Sequence, residues 1–346
     1  MSAGRGTVYL GCYTAESGGR GVGVVAARRD PRTGALDPLG AAAPTPSPSF
    51  LARHPRLPVL YAVNELDEGT VSAWTMHPDG TLSPLGVPRS TGGASPCHLA
   101  VSPDGGTLFS ANYGSGSVCV HPIDSAGMLG ERSDLLVHEG HGPDPERQEG
   151  AHAHLVSPDA DGSVLLAVDL GTDSIYRYPL DGPSGRPRGA AGRTAVPPGT
   201  GPRHLARHPD GRRYYVVGEL SATVLAYTRE ADGGLRELGG VPASAQAGHV
   251  QPSEIAVRPD GRFLYVANRG VGTLSVFALD GELPRYVTEV ETGGEWPRHF
   301  ALIGAHLYVA DERAHAVGVF EVDPGTGVPA RVGEPVEVPS PTCVLA

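Results

Sequence analysis

Apolar residues in this chain come in short runs of about five or six, each bounded by glycine, proline or a polar turn. One phrase organises the runs. It opens on Pro-x-His or Pro-x-x, continues through a small apolar residue to Pro-Asp-Gly, and ends in an apolar run closed by Asn, Asp or Glu. Clear copies are Pro96-Cys97-His98-Leu99-Ala100 to Pro103-Asp104-Gly105, Pro202-Arg203-His204-Leu205-Ala206 to Pro209-Asp210-Gly211, and Pro252-Ser253-Glu254-Ile255-Ala256 to Pro259-Asp260-Gly261. Weaker copies begin at Pro48-Ser49-Phe50-Leu51, His152-Ala153-His154-Leu155, Pro297-Arg298-His299-Phe300 and Pro341-Thr342-Cys343-Val344. Taking Leu51, Leu99, Leu155, Leu205, Ile255, Phe300 and Val344 as anchors, the steps are 48, 56, 50, 50, 45 and 44 residues. A period of this size with several short strands per unit predicts an all-β, seven-bladed β-propeller.

Each unit has room for four antiparallel strands. In the fifth, Ser253–Arg258 predicts the first, Phe263–Ala267 the second, Thr273–Phe277 the third and Pro284–Val290 the fourth, with Pro-Asp-Gly and Asp280-Gly281 as turns. No stretch sustains a 3.6-residue period, so little helix is expected. The chain begins in a second-strand segment, Val8–Tyr13, and ends just after a first-strand segment, Cys343–Ala346. The last blade is therefore expected to be composite, its inner strand supplied by the C-terminus, which covers an otherwise open sheet edge. One domain spanning residues 1–346 follows.

Composition narrows the chemistry. The 346 residues contain no 20-residue apolar run, and Met1–Gly6 lacks an apolar export segment, so a cytoplasmic protein without a membrane partner is expected. The net charge of −11 disfavours nucleic acid and anionic membranes. There is no lysine, which excludes Schiff-base catalysis and a Walker-type phosphate loop. An anionic ligand must then be held by arginine, whose planar fork suits carboxylate and phosphate. Cys12, Cys97, Cys119 and Cys343 have no metal-type spacing and are expected as free buried thiols, a Cys12–Cys343 bridge being the lesser reading.

In a propeller the first strands line the axis, so polar residues recurring there are the candidate chemistry. Immediately before the anchors stand Phe50, His98, His154, His204, Glu254, His299 and Cys343, and one residue earlier Arg203 and Arg298. The second strands end on Asn64-Glu65, Asn112-Tyr113, Asp169, Glu219, Asn268-Arg269 and Asp311-Glu312. Repeat-position His and Asp commonly tie turns and blades together. The in-register recurrence of His98, His204 and His299 favours that structural role for them. His154 differs, being doubled with His152 after the longest insertion, and Glu219 places an acid where other units carry Asn. The insertion, His138–Gly150, reads as a mobile lip. Its His138 and His141 lack a third ligand partner, so no metal is expected.

The stretch Gly142-Pro143-Asp144-Pro145-Glu146-Arg147-Gln148-Glu149-Gly150-Ala151-His152-Ala153-His154 resembles the lip and histidine segment of the seven-bladed propeller lactonases, a family that includes 6-phosphogluconolactonases and carboxy-muconate cycloisomerases. So do Gly201-Pro202-Arg203-His204 with Gly218-Glu219-Leu220, Ser253-Glu254-Ile255 with Ala267-Asn268-Arg269-Gly270, and Trp296-Pro297-Arg298. The resemblance runs over nearly the whole chain. It departs at Gly218, where relatives often have Asn, and at Ala151, where they often have Pro.

The resemblance implies a cytoplasmic enzyme of carbohydrate metabolism, in the pentose phosphate pathway, hydrolysing a sugar-acid lactone such as 6-phosphogluconolactone without cofactor or metal. It implies catalytic roles for His154, Arg203, Glu219 and Arg298, with His154 or Glu219 as general base and the arginines on the oxyanion. His152, Arg147, Arg269, Glu254 and Glu65 are the candidate substrate-binding residues. The partner expected is a small anionic lactone, and the protein a monomer or weak homo-oligomer. The alternatives are a lactone-forming cycloisomerase using the same residues, a calcium-dependent propeller lactonase drawing on Glu65, Asn112 and Asp169, and a non-enzymatic interaction scaffold.

Overall fold

The computed structural model describes residues 6–182, 185–189 and 191–346. The polar start Met1–Arg5, part of the segment expected to lack an export signal, lies outside them. The described residues form an all-β, seven-bladed propeller of antiparallel sheets, and their one helix is the 3-10 turn Ala15–Ser17. None of their helices is long and apolar enough to cross a membrane. Two compact units are present. Of the described residues, one comprises those within 6–12, 25–40 and 203–346, the other those within 13–24 and 41–202.

The repeat that read most clearly in sequence shows the logic of the first unit. Its strands are Val250–Val257, Phe263–Gly270, Thr273–Ala278 and Arg285–Glu291, hydrogen-bonded in that order. Side chains alternate across a strand, so a strand covered on one face reads as alternating. The second strand reads instead as an unbroken apolar run because both of its faces are covered. Leu264 and Val266 pack with Tyr215 and Val217 of the preceding sheet. Phe263, Tyr265 and Ala267 pack with Leu307 and Val309 of the following one. In the second unit Phe109 and Ala111 pack with Leu165 and Ala167, and Leu108 with Val59, Tyr61 and Val63. Burying each such side chain contributes about 1.5–3 kcal/mol. The outer strand Arg285–Glu291 is partly exposed and carries charge, which keeps a sheet edge from pairing with other chains.

The recurrent turns join neighbouring sheets. His208 Nε2 donates to Gly261 O of the next Pro-Asp-Gly turn at 2.9 Å, while its Nδ1 accepts from Asp210 N. Gly261 has φ +74, and a Cβ there would lie 2.7 Å from His208 Nε2, so this position requires glycine. His54 and Gly105 repeat the contact at 3.0 Å in the second unit. Second-strand tyrosines make a parallel set of ties: Tyr61 donates to Gly127 O, Tyr265 to Gly327 O and Tyr308 to Gly34 O at 2.7–2.8 Å. In two sheets the outer strand is split, Leu82–Pro84 from Arg89–Ser90 and Pro329–Arg331 from Val336–Glu337. Gly86-Val87-Pro88 and Gly333-Glu334-Pro335 interrupt them, with a left-handed glycine and a proline lacking its N–H.

The composite sheet is present. Pro341–Leu345 pairs antiparallel with Gly6–Cys12, Leu10 opposite Val344 and Gly11 opposite Cys343, and Thr342 Oγ1 donates to Gly11 O. The four cysteines are free and buried, and no Cys12–Cys343 bridge forms. Burial pushes the Cys12 thiol up to about 12, far from nucleophilic use. Deleting Pro341–Ala346 should uncover the edge of Gly6–Cys12 and abolish cooperative melting; a truncated protein with the full-length melting curve would show that the terminal strand does not hold this sheet.

Candidate active site

Two positions at each second-strand end divide structure from chemistry. The residue paired with the first residue of the third strand is a tie. Asn64 Nδ2 donates to Pro46 O at 2.6 Å, Asn268 Nδ2 reaches Ser275 Oγ at 2.9 Å, and Asp311 Oδ1 accepts from Trp296 N and Ala314 N. Pairing with the third strand puts Gly218 in this position, opposite Thr223 as Asn268 is opposite Thr273. Glu219 therefore does not replace an Asn, as its sequence context suggested. It occupies the following position, with Glu65, Tyr113, Leu170, Arg269 and Glu312.

The first strands contain a second correction. Their pairing with the second strands shifts register just before the apolar anchor, skipping Cys97, His154 and Arg298 in turn. Such bulges re-aim side chains and are common beside active sites. Ala153 pairs with Asp169 and Leu155 with Val168, as Pro297 pairs with Asp311 and His299 with Ala310. The structural anchor of that sheet is thus Val156 rather than Leu155. His154 shares the position of Arg298 and, by its Pro-Arg-His-Leu motif, Arg203; it does not share that of His98, His204 and His299.

In the first unit these positions assemble a buried ionic cluster. Glu219 Oε2 lies 2.6 Å from Arg269 Nη2 and 3.1 Å from Arg203 Nε, the latter an ion pair too far off line for a hydrogen bond. Glu219 Oε1 accepts from Gln251 Nε2 at 2.9 Å. Arg203 Nη1 donates to Ser253 O at 2.5 Å, and Arg269 Nε to Gln251 O at 3.2 Å. Burial, then the like charge of Arg269, pushes the Arg203 guanidinium down to about 10. Arg269 lies 5.3 Å from the Trp296 ring centroid, and Arg313 stacks at 3.4 Å. Arg298 Nη1 is 4.0 Å from Glu312 Oε2.

Beside this cluster runs a row from three successive sheets. His204 Nδ1 lies 2.8 Å from Glu254 Oε2, and His299 Nε2 lies 3.5 Å from the same oxygen. His299 Nδ1 accepts from Val344 N at 3.2 Å, which puts its proton on Nε2, facing the carboxylate. His98 Nδ1 accepts from Val156 N, the same sheet-to-sheet tie, and its ring lies tilted against Phe50. His98 and His299 thus make the structural bond expected of them, whereas His204 faces Glu254. Burial and the charge of Arg203 hold His204 well below the usual histidine range. Burial takes His299 down to about 4 against the opposing pull of Glu254, and burial raises Glu254 above the usual carboxylate range.

In the second unit the insertion is tied rather than slack. Gln148 is fully buried, its Nε2 donating to Leu170 O and its Oε1 accepting from Asp144 N. Arg147 Nη2 reaches Tyr113 Oη at 3.4 Å. His152 stacks on Tyr113 at 4.5 Å, with Nδ1 2.9 Å from Tyr113 O and Nε2 3.1 Å from Glu149 Oε1. His154 is buried, edge-on to Tyr113 at 5.7 Å, and its carbonyl accepts from Cys97 Sγ. Glu65 Oε1 accepts from Tyr13 Oη at 2.8 Å. His138 is enclosed, stacked on Tyr176 at 3.8 Å, with Nδ1 2.6 Å from Asp169 Oδ2. His141 is exposed. Among the described residues no three His, Cys, Asp or Glu side chains converge as a metal site.

Arg203, Glu219, Arg269, Arg298 and Glu254 thus meet within the first unit, while His154, His152 and Arg147 gather around Tyr113 in the second. Gln251, Ser253 and Trp296 were not foreseen as site residues. A signal was present: Ser253 stands two residues before its anchor, as Ser49, Arg203, Arg298 and Thr342 do, and Gln251 stands just before the repeat proline, as Ser47, Ser95 and Ser340 do; Trp296 drew notice only within the family motif.

Residues 7–346 match the family described as "Lactonase, 7-bladed beta-propeller". A Bacillus subtilis protein named 6-phosphogluconolactonase is 35% identical, over 97% of each chain. A solved structure described as a periplasmic gluconolactonase of Pseudomonas aeruginosa superposes with TM-score 0.91 at 32% identity, covering 98% of this chain and 99% of that one. A Lactobacillus plantarum protein structure superposes with TM-score 0.91 at 30% identity over 99% of each chain.

Asp169 illustrates the cost of the enclosed charges. Burial acts to raise its pKa, but the hydrogen bond and charge of His138 and the N–H groups of His152 and Thr172 outweigh it, so the net shift is downward. A depressed carboxylate contributes stability above its unfolded pKa and loses it as pH falls through the folded value. Asp169→Asn should therefore cost about 1–3 kcal/mol at neutral pH, with the gap to wild type closing in acid; equal denaturation midpoints at neutral pH would show the pair to be energetically idle.

Proposed function

The chain belongs to the seven-bladed β-propeller lactonase family, and on that premise we propose that it hydrolyses a sugar-acid lactone, with 6-phosphogluconolactone opened to 6-phosphogluconate as the preferred reaction. The observation that carries this reading is the enclosed Arg203–Glu219–Arg269 cluster with Arg298 beside it. A δ-lactone is an activated ester. Its opening needs a positioned water, a proton acceptor and stabilisation of the oxyanion that forms as water adds to the carbonyl carbon.

Guanidinium groups already fixed and partly stripped of water stabilise that charge without reorganising at the moment of reaction. Glu219 supports this role as a positioning residue. Both of its oxygens are engaged, by Arg203 and Arg269 on one and Gln251 on the other, so it orients the two forks and prevents their mutual repulsion. Arg298 supplies a further cation, its charge already felt at Arg203, His204 and His299. His154 remains the histidine that the family motif associates with Arg203 and Glu219.

The relative described as a periplasmic gluconolactonase makes the unphosphorylated lactone the first competitor substrate. Turnover of phosphorylated and unphosphorylated gluconolactone, corrected for spontaneous opening, tests the reading directly. Arg203→Lys and Arg298→Lys keep the charge but lose the planar fork, and each should lower kcat/KM by about 10²-fold or more; wild-type rates in both would place the oxyanion site elsewhere. Chelator should leave activity intact, whereas loss by chelator and recovery with calcium would turn the mechanism into a metal-dependent one.

A further inference from the structure

We propose that Glu254 is the general base of the lactone-opening step, with His204 and His299 as positioning residues that aim its carboxylate. The assignment rests on the lactonase reading and sharpens it, since the family motif alone left His154 and Glu219 as the candidates.

The geometry distinguishes the two carboxylates of the cluster. Glu219 has its side chain 3% exposed and both oxygens bonded to fixed donors, which leaves little capacity to accept a proton from water. Glu254 has its side chain 13% exposed, and its ring partners both fall on Oε2. The further hydrogen bond to its carboxylate comes from the Ile255 backbone, and its greater exposure leaves it room to accept from water. The position of Glu254 is filled by an aromatic, imidazole or apolar side chain or a thiol in the other first strands, as in Phe50, His98 and Cys343. A carboxylate set between His204 and His299 is therefore peculiar to this sheet, and sheet-to-sheet tying, which His98 and His299 do through Nδ1, does not require it.

The surroundings suit proton transfer. The charged and titratable groups facing Glu254 are Arg203 and His204 from the strand Pro202–Arg207 and His299 from Pro297–Ile303, while Arg298, Arg269 and Glu219 act on the neighbouring His204. Burial disfavours the charged forms of His204 and His299, so His204 orients the carboxylate by a hydrogen bond and His299 by its ring 3.5 Å away, and neither clamps it as a cation. The raised pKa of Glu254 brings it toward the range in which a carboxylate is a useful base. In the step proposed, water oxygen bonds to the lactone carbonyl carbon as Glu254 takes one water proton. The acyl–ring oxygen bond then breaks, and that proton passes to the departing ring oxygen as it becomes a hydroxyl. Glu254 returns as carboxylate, the new carboxylic acid ionises to solvent, and lactone plus water balances to hydroxy acid.

The full-length protein is assayed on 6-phosphogluconolactone and gluconolactone across pH, as wild type and as Glu254→Gln, Glu254→Asp, His204→Gln and His154→Gln. Wild-type kcat/KM should fall as pH drops through the raised Glu254 pKa, because the ionised form is the active one. Glu254→Gln should lose about 10²–10⁴-fold in kcat with KM little changed, and its residual rate should no longer follow that acid limb. Its Tm should stay the same or rise, since a buried carboxylate with a raised pKa opposes folding at neutral pH. Glu254→Asp should recover part of the rate, and His204→Gln should shift the acid limb while retaining it. A Glu254→Gln protein with wild-type kcat and pH profile overturns the assignment, as does an acid limb removed by His154→Gln in its place. A folded wild type inert toward both lactones overturns the lactonase reading and this assignment with it.

Discussion

The second strand of each sheet is covered on both faces, and the rest of the fold is arranged around that constraint. Leu264 and Val266 face one neighbouring sheet while Phe263, Tyr265 and Ala267 face the other, so no side of this strand is left for polar chemistry. Polar groups are displaced to strand ends and turns. There they must still be satisfied, because a buried polar group without a partner costs about 1–3 kcal/mol. The tyrosine-to-glycine and histidine-to-glycine bonds that recur from sheet to sheet meet that demand, and they join neighbours that hydrophobic contact alone would leave free to slide.

The same displacement concentrates charge at one end of the first strands. Arg203, Arg269 and Glu219 are nearly excluded from water, a condition that costs several kcal/mol per ion before pairing offsets it, and Glu254 beside them is partly buried. A chain selected for stability alone would replace such a group by apolar residues. Keeping it is consistent with a site whose dipoles and charges are set in advance for a developing oxyanion. The proposed roles follow from the surroundings: Glu219, engaged on both oxygens, holds arginines in place, whereas Glu254, more exposed, with both imidazoles on Oε2 and its pKa raised by burial, retains basicity.

The bulges in the first strands decide which residue joins which group. Skipping one residue before the anchor rotates the following side chains relative to the sheet. In the sheet of Ala153–Pro158 the skipped residue is His154 itself. That places it in the position of Arg203 and Arg298, and it separates His154 from the histidines that immediately precede the other anchors in sequence.

Sequence by itself determined the seven repeats, the strand limits of the fifth unit to within a few residues, the composite terminal sheet and the residue types of the site. Each of these is written in local patterns: turn residues that demand particular backbone angles, and apolar runs whose length matches a strand. Only the tertiary structure decided that Gly218 and not Glu219 stands in the Asn position, that His204 turns to Glu254 while His98 and His299 bind backbone, and that Gln251 completes the shell of Glu219. These outcomes depend on bulge placement and on neighbours about 50 residues away in sequence. An alternating pattern cannot encode them, because it records which face is buried and not which charged group lies across it.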